Sequence, residues 1–245
     1  MKILAAMKIL LIVTSHSQFG NTGEPTGYWL EELAAPYEAF VEAGAQVDIA
    51  SPEGGKAPVD PRSQQEPTDA TRAFLADGAA QKKAAQTLKI SDVKERYDAY
   101  FVVGGHGVMW DLATSAPVHT LLSKGYARGS VVAAVCHGPA ALVGVKGPDG
   151  EPLVKGKRVA AFSNAEETAA KFDTIVPFAL ETRIRELGAR YESGPMWQSF
   201  AVRDGRLVTG QNPASSAAAA REVIAALTEK AGEKAGEKKA EAKKK

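Results

Sequence analysis

The chain is predicted to fold as one doubly wound α/β domain: a mostly parallel sheet with helices on both faces, in a flavodoxin-like sandwich. Three observations carry that expectation. Short apolar, β-branched runs alternate with segments of helical periodicity along nearly the whole length. The most continuous run, Val131-Val132-Ala133-Ala134-Val135, contains no polar member, as a strand buried on both faces requires. Gly- and Pro-rich loops follow the strands, where such a sheet gathers its ligand-binding residues.

Composition sets the limits. A chain of 245 residues with 44% hydrophobic content can bury a sizeable core, and a net charge of +1 offers no attraction to nucleic acid or acidic membranes. One cysteine precludes an internal disulfide framework and fits a reducing compartment. The apolar run from Met7 to Val13 is interrupted by Lys8 and lacks a small-residue cleavage site. It reads as a core strand and not as a signal peptide, no other stretch approaches a membrane span, and the expected location is the cytoplasm. Met1-Lys2-Ile3-Leu4 recurs as Met7-Lys8-Ile9-Leu10, which marks 1–6 as an N-terminal extension or alternative start. The domain is then 7–227, and 228–245, almost wholly Lys, Glu, Ala and Gly, is a solvated helical tail.

Element by element, Lys8 to Ser15 is the first strand, followed by a polar, Gly-rich loop to Gly27. A helix is expected from Tyr28 to Ala43, with Leu30, Leu33, Ala34, Tyr37 and Val41 inward and Gly44 as its stop. Gln46 to Ser51 is the second strand; a turn at 52–55 and a Pro-rich loop over 56–68 come next. Asp69 to Leu88 is Ala-rich and helical, broken near Gly78. Tyr97 to Val103 is a strand running into Gly104-Gly105-His106-Gly107, and Pro117 to Tyr126 is a helix leading to the Val131 strand. Residues 145–156 form an excursion, Arg158 to Phe162 a short strand, and Thr174 to Gly188 a capped helix. Gln198–Arg203 and Arg206–Thr209 make a hairpin whose Asp204-Gly205 signals a type I′ turn, and Pro213 to Leu227 is the last helix. The carboxyl ends of the strands would bring His16, Gly104-Gly105-His106 and Cys136-His137 together.

Cys136 is where the chemistry is expected. It ends the Val131 strand, with small Ala134 and Gly138 two residues to either side and an Ala/Leu-rich segment beyond Pro139. That spacing is a nucleophile elbow, a tight strand-to-helix turn that tips one side chain above the sheet. The turn would place the sulfur near a helix N-terminus, which favours the thiolate, and His137 adds an ionisable neighbour. A lone buried cysteine is commonly just a small hydrophobe; the strand–turn–helix context favours a nucleophile here.

At Ala134-Val135-Cys136-His137-Gly138-Pro139-Ala140 the sequence resembles the ThiJ/PfpI superfamily. It is most similar to the branch of heat-shock chaperone-like, glutathione-independent glyoxalases (glyoxalase III). Thr26-Gly27-Tyr28-Trp29-Leu30-Glu31-Glu32-Leu33-Ala34-Ala35-Pro36, Ser51–Gly55, Gly104–Asp111 and Thr209–Ser216 carry the likeness further, over nearly all of Met7 to Leu227. The resemblance implies Cys136 as nucleophile flanked by His137, and Glu32 as a first-helix carboxylate on the sulfur. It also implies an acidic residue orienting His137, where the match falls on Glu167 with Glu166 as the alternative. The implied reaction turns methylglyoxal or a related 2-oxoaldehyde into a 2-hydroxy acid (D-lactate) through a Cys136 hemithioacetal, with His137 or Glu32 moving the proton. Gly105, His106 and Trp110 are the candidates for holding substrate or its oxyanion, and Tyr28, Trp29, Phe19, Met109 and Trp197 are further candidates for the pocket lining. No cofactor is implied, and four histidines offer no metal-ligand spacing. The implied assembly is a homodimer; unfolded or glycated proteins are further implied partners.

Other readings compete. A glutamine amidotransferase needs a histidine–glutamate pair far downstream, and no histidine follows His137. Ser17-Gln18-Phe19-Gly20-Asn21-Thr22 resembles a flavin phosphate loop, but Gly23, Pro25 and Gly27 delay the helix that would complete it. Peptidase, holdase, deglycase and redox-sensor roles occur among relatives, and a redox role would act through oxidation of Cys136.

Overall fold

The computed structural model describes residues 4–5 and 7–242. Its strands are β1 (Lys8–Ile12), β2 (Gln46–Ser51), β3 (Leu88–Lys89), β4 (Ala99–Val102), β5 (Val131–Val135), β6 (Arg158–Val159), β7 (Arg190–Tyr191), β8 (Ala201–Asp204) and β9 (Leu207–Gly210). The helices are α1 (Leu30–Glu42), α2 (Asp69–Ala76), α3 (Gly78–Ala85), α4 (Ala116–Ala127), α5 (Asn164–Ala170), α6 (Leu180–Glu186) and α7 (Ser216–Ala242).

Seven strands form the main sheet in the order β3-β2-β1-β4-β5-β9-β8, parallel except for β8, which returns antiparallel on β9. The three central strands are apolar at every position from Ile9 to Ile12, Ala99 to Val102 and Val131 to Val135, and all of these residues are buried. Burial on both faces removes any period-two signal and leaves continuous Val/Ile/Ala runs. From β1 the chain steps one way to β2, and from β4 the other way to β5. Right-handed crossovers then put α1 and α4 on opposite faces, with the switch point between β1 and β4. α1 packs against α7, which also covers β5 and β9. No described helix is long and apolar enough to cross a membrane.

Several expectations need correction. The helix expected over 174–188 begins only at Leu180, because Pro177 disfavours helical geometry before it. The helix α5, missed from sequence, is announced by a capping box in which Ser163 and Glu166 satisfy each other's amides. The strand expected over 158–162 shrinks to β6, which pairs with β7 in a separate two-stranded sheet. In the β8–β9 hairpin, Asp204 pairs with Leu207, so Gly205-Arg206 is the turn. Only Gly205 has positive φ there, whereas a type I′ turn needs it at both central residues. Beyond the elbow the chain makes a short 3₁₀ turn, Gly138–Leu142, and no long helix begins there.

Of the expected extension, residues 1–3 and 6 lie outside the described residues, while Leu4 is buried in the core and donates its amide to Ala43 O. Within the expected tail, α7 continues to Ala242, and 243–245 lie outside the described residues.

Candidate active site

At the carboxyl edge the loops after β4 and β5 build the site together with the start of α1 and the start of α5. Cys136 follows β5 with φ of 59°, a left-handed conformation that bulky L-residues avoid. Such a residue persists only where its surroundings over-determine it. Here Cys136 N donates to Gly210 O and Cys136 O accepts from Phe162 N, at 2.9 and 2.8 Å. Gly138 completes the turn, since a Cβ there would meet Val102 O at 2.6 Å. These contacts satisfy the elbow spacing.

Glu32 reaches the sulfur from the first turn of α1 and is fully buried. Pro36, four residues on, lacks the N–H that would close on the Glu32 carbonyl, so α1 loses one backbone bond beside the site. Neither carboxyl oxygen has a well-formed hydrogen bond among the described residues; the nearest polar groups are Cys136 and the Gly104 backbone. Gly104 must be glycine, because a Cβ would collide with the Glu32 carboxyl and with Val135 O. Burial raises the Glu32 pKa well above the ordinary value, only partly offset by Cys136 and Gly104. Burial also raises the Cys136 thiol, and the neighbouring Glu32 adds to it. The expected thiolate-stabilising helix end is thus outweighed by burial. In a low-dielectric pocket the pair keeps its protons until a base or substrate takes one.

On the other side of the sulfur, His137 Nδ1 lies 3.3 Å from Cys136 Sγ, and His137 Nε2 lies 2.7 Å from Glu167 Oε2. His106 Nε2 reaches the second Glu167 oxygen at 2.9 Å, with the two imidazoles 4.0 Å apart. Burial opposes ionisation of Glu167, but the charge of His137 and the hydrogen bonds from both histidines outweigh it, and its pKa falls far below the usual carboxylate range. An ionised Glu167 accepts from both Nε2–H groups, so in the neutral form of either imidazole the Nδ1 is the acceptor. His106, buried and beside His137, has its pKa pushed down to about 4. Of the two adjacent glutamates, Glu167 is the one on His137; Glu166 turns away to Ser163, Gln211, Asn212 and the Trp197 amide.

A cavity of about 260 Å³ opens on Cys136, His137, His106 and Gly105, walled by Trp29, Phe162, Phe172 and Trp197. Trp29 and Trp197 were candidates for that lining; Phe162 and Phe172 were not. Trp110 and His16 do not line it: they stack on each other at 5.3 Å, with Phe19 between Trp110 and His106. Tyr28, Met109 and Phe19 are core. A signal for Phe162 lay in its place at the end of an apolar run after the elbow, whereas nothing local marked Phe172.

The fold also assembles a group that spacing did not reveal. His106, His137 and Glu167 place one ligand atom each within 4.8 Å of one another. Both Nε2–H groups point at the carboxylate, so a cation there would displace two protons.

The model of the DJ-1/PfpI family matches residues 26–226. Over 237 residues, 91% of this chain and 99% of the relative, the sequence is 34% identical to the glutathione-independent glyoxalase HSP31 of Saccharomyces cerevisiae. The crystal structure of glyoxalase III from Candida albicans superposes with a TM-score of 0.82 at 30% identity, covering 92% of this chain and 98% of that one. The structure of the 24 kDa rapid encystment protein of Francisella tularensis reaches 0.87 at 37% identity, over 90% and 99%.

Proposed function

This chain belongs to the DJ-1/PfpI family, and we propose that it is a glutathione-independent glyoxalase that isomerises and hydrates 2-oxoaldehydes to 2-hydroxy acids at Cys136. One observation carries the reading: a sulfur on a left-handed elbow has a carboxyl of raised pKa on one side and an imidazole backed by a carboxylate on the other. This pairs an acid with a base around one nucleophile.

The steps follow from where the protons rest. His137 Nδ1 takes the thiol proton, and Glu167 stabilises the imidazolium. The sulfur adds to the aldehyde carbon while Glu32 gives its proton to the aldehyde oxygen, leaving a hemithioacetal and a Glu32 carboxylate. That carboxylate removes the C1 proton as the His137 imidazolium protonates the C2 oxygen, which yields an enediol. Glu32 returns the proton to C2, and the C1 hydroxyl gives its proton to His137, so a thioester forms. Water then cleaves the thioester: its hydroxyl joins the acyl carbon, its proton goes to Glu32, and His137 reprotonates the departing sulfur. The free acid ionises in solution. The Gly105 loop and the His137 amide, which lies on the sulfur, support the oxygen during these steps. Every transfer falls on Cys136, Glu32 or His137, so the scheme calls on no cofactor.

The test is lactate formation from methylglyoxal without glutathione or added metal, with Cys136→Ala and Glu32→Gln alongside the wild type. Activity in the wild type and its loss in both variants supports the reading. A folded wild type with reduced Cys136 and no lactate overturns it.

A further inference from the structure

Glu166 takes no part in the chemistry above, yet it is the most heavily bonded carboxylate beside the site. Fully buried, it accepts from Ser163 N and Oγ at 3.1 and 2.8 Å, Gln211 Nε2 at 3.1 Å, Asn212 Nδ2 at 2.8 Å and Trp197 N at 2.9 Å. Its donors come from three separate segments. Asn212 Nδ2 also reaches Gln198 O at 2.8 Å, and Gln211 Oε1 accepts from Gly194 N at 2.8 Å. The carboxylate thus ties residues 194–198 to the junction between β9 and α7 and to the start of the helix that carries Glu167.

The segment so tied presents Trp197. This residue has φ of 63°, a strained conformation for a bulky side chain, and 50% of its surface is exposed. Burial therefore does not account for its position. Its ring lies 5.8 Å from that of Phe162, which packs 4.4 Å from His137. Strain held by a buried hub, with an aromatic ring delivered to the rim of the Cys136 cavity, points to a role in what the cavity accepts.

We propose that Trp197, held by Glu166, is a specificity-determining residue that makes the site favour 2-oxoaldehydes with an aromatic or bulky apolar substituent over methylglyoxal. The proposal rests on the glyoxalase reading and adds the substrate class. The cavity holds about 260 Å³, whereas methylglyoxal displaces only ~60–90 Å³ at about 30 Å³ per water volume. The remaining space faces Trp29, Phe162, Phe172 and Trp197, and the ionisable groups on the lining are Cys136, His106 and His137 alone. A phenyl substituent would fill that space in edge or offset contact with these rings, and an anionic substituent would find no lysine or arginine among the described lining residues.

The experiment compares kcat/KM for phenylglyoxal and methylglyoxal in the wild type, Trp197→Ala and Trp197→Phe. The expected result is a wild-type preference for phenylglyoxal that falls about tenfold in Trp197→Ala, chiefly through KM, and returns in Trp197→Phe. A ratio unchanged by Trp197→Ala overturns the proposal. A second readout needs no turnover: protection of Cys136 from alkylation by iodoacetamide, followed by mass spectrometry. Acetophenone should protect at a lower concentration than acetone in the wild type but not in Trp197→Ala. Equal protection in both proteins overturns the pocket assignment. Loss of that protection in Trp197→Ala, in a protein that turns over neither aldehyde, leaves the assignment standing and overturns the glyoxalase reading alone.

Discussion

Two buried carboxylates flank Cys136, and their environments drive them in opposite directions. Glu32 arrives on α1 into a space where, among the described residues, it has no well-formed hydrogen bond and no cation among the charges acting on it, so burial decides and its pKa rises. Glu167 arrives on α5 between two imidazoles that donate to both its oxygens, so charge and hydrogen bonding decide and its pKa falls. The same side chain is a proton store in one place and a fixed anion in the other. The difference teaches that burial alone predicts neither protonation state nor role; the partners do.

The comparison is broken most severely at Glu167. Glu167→Gln cannot accept from both histidines as an anion, and kcat should fall by roughly 10³-fold or more, as when a triad carboxylate loses its charge. The change should also destabilise by about 1–3 kcal/mol, because a buried N–H loses its acceptor. Glu167 has a depressed folded pKa, so its stabilisation is present above the unfolded value of about 4.3 and is lost as pH falls below it. Denaturant melts at pH 7 and pH 3 check this: the gap between wild type and variant should narrow at pH 3.

Glu32→Gln should lower kcat by roughly 10²–10³-fold through loss of the proton shuttle, with the opposite sign in stability. Glu32 has a raised folded pKa. Above the unfolded value of about 4.3, the folded chain must either hold a proton the unfolded chain has released or bury a charge. The variant escapes both costs, so thermal melts should show it at least as stable as the wild type, by an increment that is larger at pH 8 than at pH 5. A variant less stable at pH 8 than at pH 5, relative to wild type, would contradict the assignment of Glu32 as the proton store.

The smallest effect belongs to His106. Its pKa of about 4 leaves it neutral across the working range. His106→Asn should cost about tenfold in kcat/KM by loosening Glu167, while the acid limb of the pH–rate profile stays where it was. A limb that moves would make His106 a titrating catalyst.

Much of this was legible because it depends on local patterns. The continuous Val131–Val135 run and the small residues around Cys136 are patterns within a few residues that mark a strand buried on two faces and a tight turn, whereas Gly104 is held to glycine by the distant Glu32 carboxyl and Val135 O. The Ser163–Glu166 capping box was a local signal for α5 that went unread, and a separate error extended the α6 helix back across Pro177. Trp110 shows the limit from the other side. It follows a site loop and looks like a pocket residue, yet it stacks on His16 beyond Phe19, a displacement that depends on how two distant loops pack.

By itself the sequence determined the alternation of the main-sheet strands β1, β2, β4, β5 and β9 with helices, the elbow at Cys136 and the family resemblance that singled out Glu32 and Glu167. These follow from periodicity, turn sterics and motif, all properties of neighbouring residues. Only the tertiary structure decided the rest: that His106 shares Glu167 with His137, that Glu166 serves the Trp197 rim, and that Glu32 stores a proton while Glu167 carries a charge. Protonation depends on desolvation and on the field of groups 61 positions apart, such as His106 and Glu167. Those distances exist only once the sheet has closed its loops around one sulfur.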